Sequence, residues 1–347
     1  MKKTKEKPLK LNAENLKRSL DEVRPALSNK DFIEIMTHFL FTEDKIIAYN
    51  DKICISYPYK KFNKTFSVKA TDFLNILKTI TDKSILCMFK KDSLMLKTKD
   101  TEAKIAINTH DMKIKEMYDQ LDIDNIDFIE LKDADRFKQG LKLCRYSVAK
   151  DVTNRNLYCL NVNKDYIQSA DNSRASKFDI KEPLNSFLIP GSAVNDLVNY
   201  PFEEISVQEN WVHFRSSTGL VFSARLVDGD YPDIAPFFKI PETKDIELPS
   251  ELKSILEQVA VMAEGEVETK KEVEIFLDDG ILTCTSKKEI GYLKKKMSID
   301  YKGEPIKFQI NPFFLSQILD KVQTVKLSEN VAYFVSDNFI HLIAIAN

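Results

Sequence analysis

Three stretches of the chain share one pattern of apolar and polar positions: FSVKATDFLNIL at residues 66–77, FLIPGSAVNDLV at 187–198 and FQINPFFLSQIL at 308–319. Phe66, Phe187 and Phe308 open them, each 121 residues after the one before. Two places on, Val68, Ile189 and Ile310 share a strand face with that Phe. Three further columns, headed by Phe73, Val194 and Leu315, then recur at i, i+3 and i+4, the stripe of a helix. A strand running into a helix is therefore predicted three times. Ser192 and Asn311 stand where N-caps are expected, and Pro312 at a first helical position.

A second helix is predicted upstream of each stretch, over residues 11–23, 132–144 and 248–259. Leu16, Phe137 and Leu252 form one column there, and Leu20, Leu141 and Leu256 the next. Short β-rich runs such as KIIAYN, LYCLNV, WVHFRSS, VEIFLDD and HLIAIAN fill the intervals, bounded by turn signals. Self-similarity at a fixed period marks a duplicated unit. The expected fold is α+β: three tandem domains, residues 1–126, 127–245 and 246–347, each with two helices packed on antiparallel sheet. Open sheets leave unpaired edges. Tandem domains can pair edge to edge, and symmetric self-association removes the last two edges.

Composition narrows the function. The 347 residues are 43% hydrophobic and 30% charged, enough apolar mass for real cores. No run approaches the roughly 18 apolar residues of a membrane span, and the basic start MKKTKEKPLK leads into no apolar signal region. A cytoplasmic protein without membrane contact is expected. Cys54, Cys87, Cys144, Cys159 and Cys284 lie far apart and read as reduced core thiols; the four His are equally scattered, so no metal site is expected. With 8 Gly and no nucleophile, phosphate-loop or zinc motif, neither a cofactor nor an enzymatic activity is expected.

ARLVDGDYPDI, residues 224–234, carries the sharpest family signal, through Arg225, Leu226, Asp228, Gly229, Tyr231, Pro232 and Asp233. A turn in a linker explains Gly229 and Pro232 alone. RYSVAKDVTNRNLYCL (145–160) and SADNSRASK (169–177) add weaker signals, the latter keeping Asp171 and Arg174 with Asn172 at a glycine position, where a left-handed residue would suit Asn. Over essentially its whole length the chain resembles the bacterial sliding clamp, the β subunit of DNA polymerase III. Its tail, HLIAIAN, departs most from that family. The richness in Lys, Ile and Asn suggests an AT-rich genome, and the divergent tail fits a phage- or mobile-element-encoded clamp.

The resemblance implies a head-to-tail homodimer: a ring of six domains, helices lining the hole and sheets outside. Duplex DNA would be enclosed without sequence preference, and a clamp loader and a DNA polymerase would be partners. The implied DNA-facing residues are Lys17, Arg24, Lys30, Lys138, Lys142, Arg145 and Arg155. Among them Lys138, Lys142 and Arg145 form a helical stripe apart from the apolar one. The third domain offers only Lys253, so an uneven grip is expected; the run Lys294, Lys295, Lys296 reads as outer surface. Net charge by domain is +5, −3 and −4. An acidic body should not bind DNA tightly from outside. The resemblance also implies an apolar pocket for a partner's linear motif. Its lining would be Leu157, Ala170, Asn172, Arg174 and Ala175, then Pro232, Pro236 and Phe237, and Ile343, Ala344 and Ile345 from the tail. The alternative within the same fold is a recruitment scaffold that does not encircle DNA.

Overall fold

The computed structural model of the chain describes residues 8–28, 34–110, 112–151, 153, 156–240, 242–265 and 267–346. Two compact units emerge, Met1–Ala134 with Asn195–Leu226, and Asp135–Val194 with Val227–Asn347. Each is built from one eight-stranded and one four-stranded antiparallel sheet, with helices.

In the first unit the large sheet runs in the order β5 (Phe66–Lys69), β2 (His38–Phe41), β3 (Lys45–Tyr49), β4 (Ile53–Pro58), β16 (Val221–Arg225), β15 (Trp211–Arg215), β14 (Glu204–Val207), β9 (Ile129–Glu130). The small one is β1 (Leu9–Asn12), β6 (Ser84–Lys90), β7 (Ser93–Lys97), β8 (Glu102–Ala106). Its helices are α1 (Ala13–Val23), α2 (Ala70–Thr79) and α3 (Lys113–Asp119). In the second unit the large sheet is β13 (Phe187–Pro190), β10 (Cys159–Val162), β11 (Tyr166–Ala170), β12 (Arg174–Asp179), β24 (Phe339–Ala344), β23 (Val331–Ser336), β22 (Thr324–Leu327), β17 (Ile246–Glu247). The small one is β20 (Gly291–Ser298), β19 (Ile281–Lys288), β18 (Val273–Asp278), β21 (Ile306–Ile310). Helices α4 (Ala134–Cys144), α6 (Leu252–Val259) and α7 (Pro312–Leu319) accompany it, and the division between units falls inside α5 (Gly191–Leu197).

The sequence columns reappear as rows across the sheets. Phe66 pairs with Phe41, Phe41 with Ile46 and Ile46 with Tyr57. Phe187, Val162, Ile167 and Phe178 make the same row, and so do Phe308, Ile275, Cys284 and Lys295. A second triplet of rows starts just before the first helices. It consists of Leu9–Cys87–Leu96–Ala103, Ile129–Ile205–Phe214–Phe222 and Ile246–Val325–Phe334–His341. Period-2 burial thus turns one sequence column into a largely apolar row across each sheet, ending in the third copy on exposed Lys295.

Aromatic mass concentrates where the opening column begins. Phe41 stacks on Phe66 at 4.7 Å between ring centroids and meets Phe62 and Phe73 edge-on. All four are at most 2% exposed, so Phe41→Ala would cost about 3–5 kcal/mol. Asn311 caps α7 as expected, its side chain accepting from the amides of Phe313 and Phe314 at 3.0 Å. Ser192 does not cap α5, which already begins at Gly191. The five cysteines are free and buried, and burial pushes the Cys87, Cys159 and Cys284 thiols up to about 12. No helix among the described residues is long and apolar enough to cross a membrane.

Candidate functional sites on the first helices and around the Asp171–Arg174 turn

The three first helices carry a lysine one place after the shared apolar column: Lys17 on α1, Lys138 on α4 and Lys253 on α6. Lys17 is not a free cationic face, because its ammonium donates to the Ile80 carbonyl, 2.8 Å away at the end of α2. Lys253 does the parallel job in the second unit, pairing with Asp320 at 2.5 Å beside the end of α7. A cation at a helix C-terminus satisfies carbonyls and complements the dipole. Lys17 is half-buried, and one of its three ammonium donors is taken by that carbonyl.

Helix α4 differs. Lys142 is exposed one turn beyond Lys138, and burial together with the Lys142 charge pushes the Lys138 ammonium below its ordinary range. Arg145 follows half-buried, its guanidinium 5.6 Å from the Tyr146 ring centroid. Lys142 and Arg145 therefore continue the predicted stripe. In the first unit Arg24 is exposed after α1 and lines a polar cavity of about 370 Å³ with Thr37, Thr71, Asn75 and Lys78. Lys78, on α2, is a cation the sequence reading passed over, as is exposed Arg18 on α1. Both stand in the gaps of the apolar stripes, where periodicity says only that a residue is polar. Lys30 and Arg155 lie outside the described residues.

The second site is built on the turn between β11 and β12. The Asp171 carboxylate accepts from the Ser173 and Arg174 amides at 2.9 and 3.0 Å and from Arg174 Nε at 2.9 Å. This closes an Asx turn. Arg174, 6% exposed, also donates to Gln317 Oε1 at 2.7 Å and lies 3.9 Å over the Phe314 ring of α7. Burial alone would lower its pKa; the Asp171 carboxylate opposes that. Arg174 is thus a structural rivet between the turn and α7.

Asn172 is exposed and its φ is not positive, which corrects the expectation of a left-handed residue there. The Asx turn makes one unnecessary. The left-handed asparagine is Asn156, with φ +63°, whose Nδ2 donates to the Asp230 carbonyl at 3.2 Å. Gly229, at φ +113°, is needed there: a Cβ would stand 2.9 Å from that same Nδ2.

Around the turn, Ala170, Ala175, Ile234, Tyr333 and Leu342 make a buried apolar cluster, with Leu157, Tyr231 and Phe238 half-buried against it. The Tyr231 hydroxyl accepts from the Ala170 amide at 2.8 Å. Pro232 is half-buried and Pro236 exposed. Of the adjacent phenylalanines, Phe238 packs on the cluster while Phe237 is 59% exposed at its margin. Both belong to the short 3-10 turn Ala235–Phe238. From the tail, Ile343 is buried opposite Arg174 in the ladder. Ala344 is exposed and donates to the Ser173 carbonyl at 2.7 Å; Ile345, 8% exposed, donates to Asn330 at 2.9 Å. Ala346 exchanges two hydrogen bonds with Gln309. Ala170, Ala175, the exit segment and, through Leu342, strand β24 share one apolar surface within one unit, while Ile343, the next residue of β24, faces the other side of the sheet with Arg174.

Compared with solved structures, the chain superposes on a sliding clamp from Bartonella birtlesii, determined bound to griselimycin, with a TM-score of 0.81 at 14% identity, covering 98% of this chain and 99% of that one. Its fold is that of a DNA sliding clamp. The DNA polymerase β subunit of Streptococcus pyogenes gives a TM-score of 0.80 at 16% identity, covering 98% and 100%. By sequence, the beta sliding clamp of Chlamydia trachomatis is 26% identical over 164 residues, 44% of this chain, which spans only 38% of that protein's length. The beta sliding clamp of Mycoplasma genitalium is 22% identical over 293 residues, covering 76% of this chain and 73% of that one. No model of a known protein family matches.

Proposed function

We propose that the protein is a DNA sliding clamp, a processivity factor working as a closed head-to-tail homodimer. Three domains, residues 1–126, 127–245 and 246–347, would be its units, the middle one giving half its strands to each large sheet. The observation that carries the reading is the clamp fold over 98% of the chain, together with the repeat of one sheet joint. Strand β4 pairs with β16 and β12 with β24, while their counterparts β20 and β8 end their sheets unpaired. Joining β20 of one copy to β8 of another, twice, closes a ring from two 40.0 kDa chains.

In such a ring DNA is retained by enclosure. The helix cations need only weak, sequence-blind attraction to phosphate, which lets the ring slide. Lys142, Arg145 and Arg24 are the residues we assign to that contact. The Asp171–Arg174 surface is the site we assign to the linear motifs of a polymerase and other DNA-processing partners, and loading onto DNA would need a clamp loader. No step of this mechanism requires catalysis.

The test is topological. Loaded protein should stay on a nicked circular duplex through gel filtration and leave once the circle is cut. Equal retention on circle and linear DNA would favour simple binding; no retention on either, with the motif peptide still bound, would favour the scaffold.

A further inference from the structure

Residues 1–126 carry a net charge of +5 while the rest of the chain is acidic, and one corner of the first unit gathers five of the lysines. Lys60, Lys61 and Lys64 lie on the loop between β4 and β5, and Lys90 and Lys91 on the hairpin between β6 and β7. Aromatic packing pins the two together. The Phe62 ring, 2% exposed, meets Phe89 edge-on at 5.9 Å, and the Lys64 ammonium lies 5.2 Å over the Phe89 ring. Lys60, Lys61, Lys90 and Lys91 are exposed. Lys91 occupies a two-residue turn between paired Lys90 and Ser93, at φ +36°, with 93% of its side chain in water and Asp92 at 3.9 Å. The carboxylates nearby are engaged elsewhere. Asp44, whose carbonyl accepts from the Tyr59 amide, turns its carboxylate to Thr42 and Lys45, and Glu102, within the field of Lys90, accepts from Lys97 at 2.9 Å.

The repeats show that the fold does not need this charge. The pairs Cys87–Leu96, Ile205–Phe214 and Val325–Phe334 enclose hairpins of equal length, so Lys90 and Lys91 correspond to Gln208 and Glu209, and again to Ser328 and Glu329. By the 121-residue step Lys61 corresponds to Glu182 and Lys64 to Asn185, and the β20–β21 loop of the third copy carries Asp300, Lys302 and Glu304. The same hairpin closes on acidic residues twice. Gathering lysines in the first copy adds mutual repulsion that folding alone does not call for.

We propose that this corner binds the phosphates of duplex DNA on the sheet loops, apart from the first helices. A protein partner would look for exposed aromatic or apolar anchors, and a single strand for exposed rings on which to stack its bases. Tyr59 and Phe62 are buried and Phe89 is half-buried beneath Lys64, so the corner offers ammonium groups and no exposed ring. Lysines at loop tips follow backbone charge without reading bases. The inference goes beyond enclosure: it requires neither a closed ring nor a loader.

A covalently closed duplex minicircle cannot thread a closed ring without a loader, so its binding reads the outer surface. Immobilised for interferometry, it should bind the full chain with a dissociation constant of about 10–100 µM at 50 mM salt, weakening as salt rises. Lys60→Gln, Lys61→Gln, Lys90→Gln and Lys91→Gln together should weaken binding about tenfold and lower the logarithmic salt slope by about 3. A matched variant, Lys164→Gln, Lys181→Gln, Lys302→Gln and Lys321→Gln, removes four exposed lysines elsewhere and should change binding less than twofold. Equal losses in the two variants, no binding of the unmodified chain at 50 mM salt, or tighter binding of a polyglutamate peptide than of the circle overturns the proposal. Each of these results leaves the enclosure reading intact, because enclosure is tested by retention after loading onto a nicked circle.

Discussion

Helices α4 and α6 occupy the same place in the repeat and bury the same stripe, Phe137 and Leu141 in one, Leu252 and Leu256 in the other, yet their open faces differ in charge. After the shared lysine, α4 continues with Lys142 and Arg145, whereas α6 continues with exposed Glu257 and then buried Ala260. Lys253 is moreover bound to Asp320. The repeat therefore fixes what packs and leaves free what faces solvent. In the proposed ring such helices would grip DNA from one side of each chain, a lopsidedness that experiments can erase or exaggerate.

The largest change should come from reversing α4. Lys138→Glu, Lys142→Glu and Arg145→Glu together should weaken retention on nicked circles roughly a hundredfold at low salt and lower the logarithmic salt slope by about 2 to 3, with the dimer intact. An unchanged slope would mean that the stripe points away from DNA. Next comes the interior that the repeats share. His213 and His341 are buried against Ser223 and Ser176, and burial depresses their imidazoles to about 4 and about 3. Because the folded pKa lies below the unfolded value near 6.5, stability is complete above pH 6.5 and is lost as pH falls from there toward 4. At pH 5 each histidine should cost about 2 kcal/mol, and both units should lose melting temperature together. A melting temperature flat from pH 7 to 5 would contradict this. A smaller effect is expected from Glu257→Lys, which gives α6 the charge of α4: a severalfold gain in retention and about one unit more salt slope. Smallest of all, Lys253→Gln should change retention less than twofold, since that ammonium is occupied; a loss equal to that of Lys142→Gln would remove the distinction between the helices.

What was legible in the sequence was what burial repeats. Phe66, Phe187 and Phe308 announce their rows because an apolar residue at a period-2 position has one destination. Lys17 was not legible in the same way. A lysine on a helix flank can reach water or a neighbouring helix's last carbonyl, and nothing in its spacing distinguishes Ile80 from solvent. Phe237 and Phe238 are neighbours on a single 3-10 turn, and no pattern in the sequence says which of them packs on the apolar cluster. Asn172 misled for a different reason: the Asx turn made by Asp171 removes the need for a left-handed residue, so a glycine position in the family need not demand glycine-like backbone here. The run Lys294–Lys296 was legible as outer surface, and the ladder adds that its strand, β20, ends its sheet.

The long-range sheet joints also set a clock. Ser176 and His341 meet across β12 and β24 although 165 residues separate them in the chain. At about 5–20 residues per second of synthesis, β12 would leave the ribosome roughly 10 to 30 s before its neighbour exists. During that interval a nearly complete half-sheet displays an open row of amides and carbonyls, the template on which strands of other nascent chains add. Expression yield should therefore depend less on the stability of the finished fold than on how fast the last strand arrives, and slowing translation between Asp179 and Phe339 should turn soluble protein into aggregate.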